Sequence, residues 1–247
     1  MSIESANDIA GLLRIGKIVG LAIKAMREAL EPGITTAELD AVGARFLREN
    51  GARSAPQLAY KFPGATCISV NDEVAHGIPG SRVIAAGDIV NIDVSAELDG
   101  YFADAGETVG VPPVTADTER LLECARRALD RAIEAAHAGN RINAIGRAVQ
   151  TEAERSGYHV IRDLSGHGVG RGIHEKPSVP NFFSNRASQR LTEGLVITLE
   201  PFLTTGTGRI YTAADRWTIK TMDGKPFAQF EHTIIVTKDK PILVTAV

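Results

Sequence analysis

Four carboxylates and one imidazole carry the clearest chemistry in the chain: Asp93, Asp104, His167, Glu200 and Glu231. Asp93 lies in Val90-Asn91-Ile92-Asp93-Val94, a strand by composition, and Asp104 follows eleven residues later. Between them Asp99-Gly100 is a strong type I′ hairpin signal. With that pair as the turn, Leu98 faces Tyr101 and Asp93 faces Gly106. Asp104 then becomes a diagonal neighbour of Asp93 on the same face, roughly 7–8 Å away at the backbone. Two like charges so placed repel unless a cation lies between them. Glu200 ends the apolar run Leu195-Val196-Ile197-Thr198-Leu199, and Glu231 is flanked by Phe230 and by Thr233-Ile234-Ile235-Val236. His167 sits in a glycine-rich turn, Ser165-Gly166-His167-Gly168-Val169-Gly170, where backbone or ligand can approach closely. Taken singly, each carboxylate reads as a strand residue or strand end, and the histidine as structural. Together they offer oxygen ligands with one nitrogen and no thiolate, a set that suits two divalent cations such as Mn, Co, Fe or Zn. Two such ions can bridge a water and lower its pKa towards neutrality.

The elements that must position these groups follow from periodicity. Residues 8–30 read as an amphipathic helix stopped by Pro32-Gly33. Thr35 or Thr36 caps a second helix through about Glu49, ended by Asn50-Gly51. Strand-like runs fall at 66–70, 88–95 and 101–109, and two more helices at 115–138 and 141–156. Strand signals return at 158–164, 195–200, 209–220 and 229–237. The order helix, helix, strands therefore occurs twice. Gly87-Asp88-Ile89-Val90-Asn91-Ile92-Asp93 lies on Gly194-Leu195-Val196-Ile197-Thr198-Leu199-Glu200, each ending on a carboxylate. This predicts two related α+β halves, about 8–110 and 111–247, in one domain spanning 1–247 with a site between them.

Composition bounds the rest. The 247 residues suffice for a sizeable core. With 27 Lys+Arg against 30 Asp+Glu the net charge is −3, which lacks the basic excess of a nucleic-acid binder. Cys67 and Cys124 are the only cysteines, so neither a disulfide framework nor a thiolate zinc site is expected. The first residues lack the basic start of a signal peptide, and no apolar run is long enough to span a bilayer. A cytoplasmic location is the expectation. Other chemistries fit poorly. His174-Glu175 does not open a zincin helix, since Ser178 stands where the second histidine belongs and Pro177 breaks the geometry. Arg171 occupies the last glycine position of a dinucleotide fingerprint. There is no nucleophile elbow and no P-loop.

The ordered set Asp93, Asp104, His167, Glu200, Glu231 resembles the dinuclear metal ligands of the methionine aminopeptidase and prolidase superfamily, the pita-bread fold. The surrounding segments are closest to type I methionine aminopeptidases. Asn71-Asp72-Glu73-Val74-Ala75-His76-Gly77-Ile78-Pro79 resembles that family's first histidine motif. Asn91-Ile92-Asp93-Val94 with Asp99-Gly100-Tyr101-Phe102-Ala103-Asp104 resembles its two-aspartate hairpin. Gly166-His167-Gly168-Val169-Gly170-Arg171-Gly172-Ile173-His174-Glu175 resembles its double-histidine segment. Glu200-Pro201 and Gln229-Phe230-Glu231-His232-Thr233 resemble its glutamate motifs. The likeness runs from the first helix to the last strand.

The resemblance implies an α+β pita-bread fold with a central curved antiparallel sheet covered by helices. It implies a cytoplasmic metalloexopeptidase that removes the N-terminal methionine of nascent chains and peptides with a small second residue. Asp93 and Asp104 would bridge or chelate two divalent metals, His167 would bind one, and Glu200 and Glu231 would complete the set. A metal-bridged water or hydroxide would attack the scissile carbonyl, with Glu200 as general base and then acid. His174 would stabilise the oxyanion. His76 would contact the peptide nitrogen or the main chain beyond it. Phe62, Cys67 and Trp217 match pocket positions for the methionine thioether. A monovalent-cation site near Asn71, transient ribosome association and a monomeric state are further family expectations. No nucleic-acid readout and no membrane partner are expected.

The chain also departs from familiar members. Ala59 and Pro56 stand where an aromatic and a cysteine are usual, Ile173 replaces an aromatic, and Ala105 replaces a hydroxyl residue. These changes touch the pocket and leave the metal set intact. Glu200 follows His167 by only 33 residues, which leaves no room for the helical insertion of type II enzymes. Neither an N-terminal extension nor the extra domain of prolidases is expected. Two competitors remain: a related peptidase that cuts before proline, and a non-catalytic binding protein of the same fold. His137, His159 and His232 are read as structural.

Overall fold

Four helix starts are set by side chains that satisfy the free N–H groups of a first turn, those of Ser5, Thr35, Ser54 and Thr115. In the computed structural model, which describes residues 1–247, Ser5 and Asp8 form a capping box that opens α1 (Ala6–Ala29). Thr35 and Glu38 do the same for α2 (Thr36–Glu49). The first half continues with β1 (Arg53–Ser54), α3 (Ala55–Tyr60), β2 (Cys67–Val70), β3 (Glu73–Ala75), β4 (Ile89–Leu98) and β5 (Tyr101–Gly110). Thr115 caps α4 (Ala116–Ala135), which is followed by α5 (Ile142–Arg155). Ten strands follow, beginning with β6 (His159–Val160), β7 (Ser165–Gly168), β8 (Glu175–Pro180), β9 (Val196–Leu199) and β10 (Phe202–Thr204). The last are β11 (Ile210–Thr212), β12 (Ile219–Thr221), β13 (Phe227–Gln229), β14 (His232–Ile235) and β15 (Ile242–Leu243).

All strand pairs are antiparallel. The order in the first half is β1-β4-β2 with β5 on β4, and the largest sheet of the second half runs β15-β14-β9-β7-β8. Two hydrophobic clusters lie beneath the helices. In one, Leu12, Ile15, Val19 and Met26 of α1 pack on Ile92, Val94, Ala103 and Ala105 of the β4–β5 hairpin. In the other, Leu121, Ala125 and Ala128 of α4, with Ile145 and Val149 of α5, cover Ile197, Leu203, Ala228 and Ile234. Each fully buried Leu or Ile contributes about 1.5–3 kcal/mol to holding a helix down. The halves meet where β5 runs beside the segment 229–233. Thr233 Oγ1 accepts from Asp104 N–H at 2.9 Å and donates to Asp104 O at 2.7 Å, and Glu231 N–H donates to Gly106 O at 2.9 Å. No helix is long and apolar enough to cross a membrane.

Several expectations need correction. The first helix begins at Ala6 rather than residue 8, because the capping box starts before the apolar stripe does. The long strands expected at 158–164 and 209–220 are a short strand and a hairpin, and 229–237 is broken at Phe230-Glu231. His167 stands on a strand, not in a glycine-rich turn. The glycines beside it mark crowding: a Cβ on Gly166 would sit 2.4 Å from Thr198 O.

Candidate active site

The β4–β5 hairpin turns at Asp99 (φ 52°) and Gly100 (φ 80°), which pairs Leu98 with Tyr101, Asp93 with Gly106 and Ser95 with Asp104. Asp93 and Asp104 therefore share a face. His167 projects from β7, Glu200 follows the end of β9, and Glu231 lies between β13 and β14. The five groups line one cavity of about 590 Å³. His167 Nε2 lies 3.4 Å from Glu200 Oε1 and 3.8 Å from Asp104 Oδ2. One ligand atom each from Asp104, His167 and Glu231 falls within a 4.8 Å cluster.

Four carboxylates at such range are costly to ionise. Burial pushes Asp93 up to about 7. Burial first, and neighbouring carboxylates second, hold Asp104, Glu200 and Glu231 well above the usual carboxylate range. No Lys or Arg forms a salt bridge to any of them; the basic group nearest Asp104 and Glu200 is the His167 ring. Burial keeps that ring neutral by lowering its pKa to about 4. Its Nδ1 lies 2.9 Å from Gly168 O, which only accepts, so Nδ1 carries the proton and Nε2 presents a lone pair. Asp104 Oδ1 and Glu231 Oε1 are buried and have no hydrogen-bond partner. Orphaned carboxylate oxygens beside an imidazole lone pair are an unsatisfied arrangement for protein alone and a fitting donor set for divalent metal.

Polar side chains two residues upstream hold two of these groups, Glu200 and Glu231. Thr198 Oγ1 accepts from the His167 N–H at 3.0 Å and donates to Glu200 Oε1 at 2.8 Å. Gln229 Nε2 donates to Glu231 Oε2 at 2.8 Å, leaving Oε1 free. Asn91, two before Asp93, donates to Gln229 Oε1 at 2.8 Å and fixes which end of that amide faces Glu231. Gly106 leaves room for this amide, since a Cβ there would lie 2.4 Å from Gln229 Oε1 and displace it.

The rim is made differently. Tyr60 ends α3 beside the left-handed Lys61 (φ 58°), and its Oη lies 2.6 Å from His174 Nδ1. The His174 and His167 rings are 4.2 Å apart between centroids. His76, itself at φ 54°, follows β3. Phe62 and Trp217 meet edge to face at 5.2 Å. Cys67 is paired with Asp93 across β2 and β4. All ten residues singled out from the sequence border the one cavity, together with Tyr60, Pro56 and Ile173. Asn71 does not; its amide is engaged by Asp88 and by the Ile89 N–H. Sequence reasoning missed Tyr60, Asn91, Thr198 and Gln229. The period-two spacing before Asp93, Glu200 and Glu231 could have found the last three.

The chain matches the family model described as metallopeptidase family M24 over residues 10–238. It is 46% identical to methionine aminopeptidase 2 of Bacillus subtilis (strain 168), over 99% of each chain. It is 37% identical to methionine aminopeptidase of Clostridium perfringens (strain 13 / Type A), over 99% of this chain and 98% of that one. The crystal structure of methionine aminopeptidase from Rickettsia prowazekii superposes with a TM-score of 0.95 at 36% identity, covering all of both chains. Prolidase from Pyrococcus furiosus shares the fold, with a TM-score of 0.79 at 23% identity over 99% of this chain and 65% of that one.

Proposed function

The chain belongs to metallopeptidase family M24 and, within it, to the methionine aminopeptidases of pita-bread fold; from that premise we propose how it removes an N-terminal methionine and from which substrates. Its activity class is that of a methionyl aminopeptidase. The substrates in this reading are nascent chains and peptides with a small second residue, met in the cytoplasm by a monomer in transient association with the ribosome. One catalytic domain, 1–247, carries the whole site.

The observation that carries the reading is the pair of orphaned oxygens, Asp104 Oδ1 and Glu231 Oε1, in the same cluster as the His167 Nε2 lone pair. Asp93, Asp104, His167, Glu200 and Glu231 would hold two divalent ions, of which Mn, Co, Fe and Zn all suit the donors. Bound there, such ions supply the Lewis acidity that makes water nucleophilic near neutral pH.

The remaining steps belong to the chain's own residues. Glu200 has Oε1 held by Thr198, so Oε2 is the atom that takes a proton from the nucleophile and passes it to the leaving amine. His174 bonds the scissile carbonyl and steadies the oxyanion as it forms. His76 contacts the peptide nitrogen or the main chain beyond it. Phe62, Trp217 and the Cys67 thiol give the methionine side chain an apolar seat, and Ile173 and Pro56 widen that wall.

The test uses purified protein stripped of metal and reloaded separately with Mn, Co, Fe or Zn, then offered Met-Ala-x, Met-Lys-x and Ala-Pro-x peptides. Release of methionine from Met-Ala-x alone is expected. Cleavage of Ala-Pro-x, or inactivity with every metal, overturns the reading.

A further inference from the structure

Of the three imidazoles that border the cavity, His167 and His174 have Nδ1 partners, and these differ in kind. His167 Nδ1 meets a backbone carbonyl, Gly168 O, which has no proton to give. His174 Nδ1 meets the phenol oxygen of Tyr60, which has one. A neutral imidazole carries a single N–H, on one ring nitrogen or the other. A tyrosine phenol keeps its proton at neutral pH and can donate it. The only protein partner of Tyr60 Oη is His174 Nδ1, and a distance of 2.6 Å suits a phenol O–H donating to an imidazole lone pair.

We infer that Tyr60 is a positioning residue that fixes His174 in the tautomer protonated at Nε2, the opposite of the one imposed on His167. The consequence is a division of labour between rings 4.2 Å apart. His167 turns a lone pair towards the carboxylate cluster, where a cation ligand is needed. His174 turns an N–H into the cavity, where an oxyanion donor is needed. Bound cations would by themselves favour a lone pair from both rings, because a positive charge attracts an unshared pair and repels an N–H. A hydrogen bond from outside the metal set is what holds His174 against that pull. The local backbone serves this contact. Ser54 caps α3, and the left-handed Lys61 ends it directly after Tyr60, so the phenol is carried over the cavity mouth on a short rigid element.

This inference rests on the reading that His174 binds the oxyanion. The experiment compares wild type, Tyr60→Phe, His174→Ala and the double variant, all loaded with zinc, which leaves NMR lines unbroadened. Two-bond proton–nitrogen correlation spectra of ¹⁵N-histidine protein report the tautomer directly. In wild type the His174 pattern is expected to be that of Nε2–H. Tyr60→Phe keeps the ring that packs against His174 at 5.6 Å and removes only the hydroxyl. It is expected to convert a large share of His174 to Nδ1–H and to lower kcat about 5- to 30-fold, with KM changed less than twofold. The double variant should be no slower than His174→Ala, since Tyr60 acts only through that ring. An unchanged His174 pattern and unchanged kcat in Tyr60→Phe, beside a His174→Ala variant slowed 100-fold or more, overturns the role of Tyr60 alone. A His174→Ala variant with wild-type kcat overturns the oxyanion reading, and the inference with it.

Discussion

The floor of the cavity stands on strands and at their ends, while its rim stands on short helix ends and turns. At the floor, Asp93, Asp104 and His167 lie within β4, β5 and β7, Glu200 directly follows β9 and Glu231 directly precedes β14. At the rim, Tyr60 precedes left-handed Lys61, His76 is itself left-handed, and Trp217 follows left-handed Arg216. Burial follows this division only in part: Asp104 and Glu231 are 7% and 3% exposed and Tyr60 is 44% exposed, but Phe62 of the rim is 4% exposed. Desolvation at the floor stores repulsion among carboxylates that a cation relieves. The rim stores backbone conformations that favour glycine, and each is held by its surroundings to aim one side chain. In our reading the floor sets whether the reaction occurs, and the rim sets how well a substrate is positioned for it.

The largest effect should come from the floor. Glu200→Ala removes the proposed proton carrier and one ligand together, so kcat on Met-Ala-x is expected to fall about 10³-fold or more. Isothermal titration of the metal-free variant should show weakened or incomplete metal uptake. A variant that keeps full turnover would remove Glu200 from the mechanism and erase the contrast with the rim.

The same desolvation predicts a pH dependence. The folded-state pKa of Asp93 is raised from 3.8 to about 7. Its contribution to stability is therefore fully present below the unfolded value and is lost as pH rises through about 7. Asp104, Glu200 and Glu231 shift in the same direction. Metal-free protein should thus lose several degrees of Tm (~5 °C or more) between pH 4.5 and 8. Protein saturated with metal should not, because the cation takes the place of the protons. Calorimetry of both forms across that range checks this, and a Tm of the metal-free form that rises with pH would contradict it.

A smaller effect is expected one layer out. Gln229→Leu deletes the amide that fixes Glu231 and leaves the carboxylate itself in place. Metal affinity should fall about 10- to 100-fold, with turnover restored at high metal concentration. Wild-type affinity in this variant would mean that the strand alone positions Glu231.

How much was legible in the sequence follows the same division. The hairpin register around Asp93 and Asp104 was readable because a two-residue Asp-Gly turn leaves one pairing and side chains alternate strictly along strands. The helices were readable from their apolar stripes and caps. The breaks in 158–164 and 209–220 were not, since the turns at Arg162-Asp163 and Ala213-Ala214-Asp215-Arg216 carry neither Gly nor Pro to mark them. The glycines flanking His167 read as a turn, yet they answer close contacts across the sheet, which local sequence does not report. Tyr60 escaped notice because its partner lies 114 positions away and its aim depends on a left-handed lysine, a conformation no sequence rule assigns to Lys61.

The smallest predicted effect lies at the rim and probes its role most directly. Phe62 and Trp217 form an edge-to-face pair at 5.2 Å on the wall assigned to the methionine side chain. A thioether gains about 0.3–1.5 kcal/mol from an aromatic neighbour. Phe62→Leu keeps the wall apolar and removes that term, so KM for Met-Ala-x should rise roughly 2- to 10-fold. The loss is one of binding shared by ground state and transition state, which leaves kcat near its wild-type value. Steady-state kinetics with Met-Ala-x and its norleucine counterpart separates the contributions. Norleucine lacks the sulfur, so its KM should change less than that of methionine. A fall in kcat at constant KM would mean that this wall acts on the transition state, and the division between a reacting floor and a positioning rim would no longer hold.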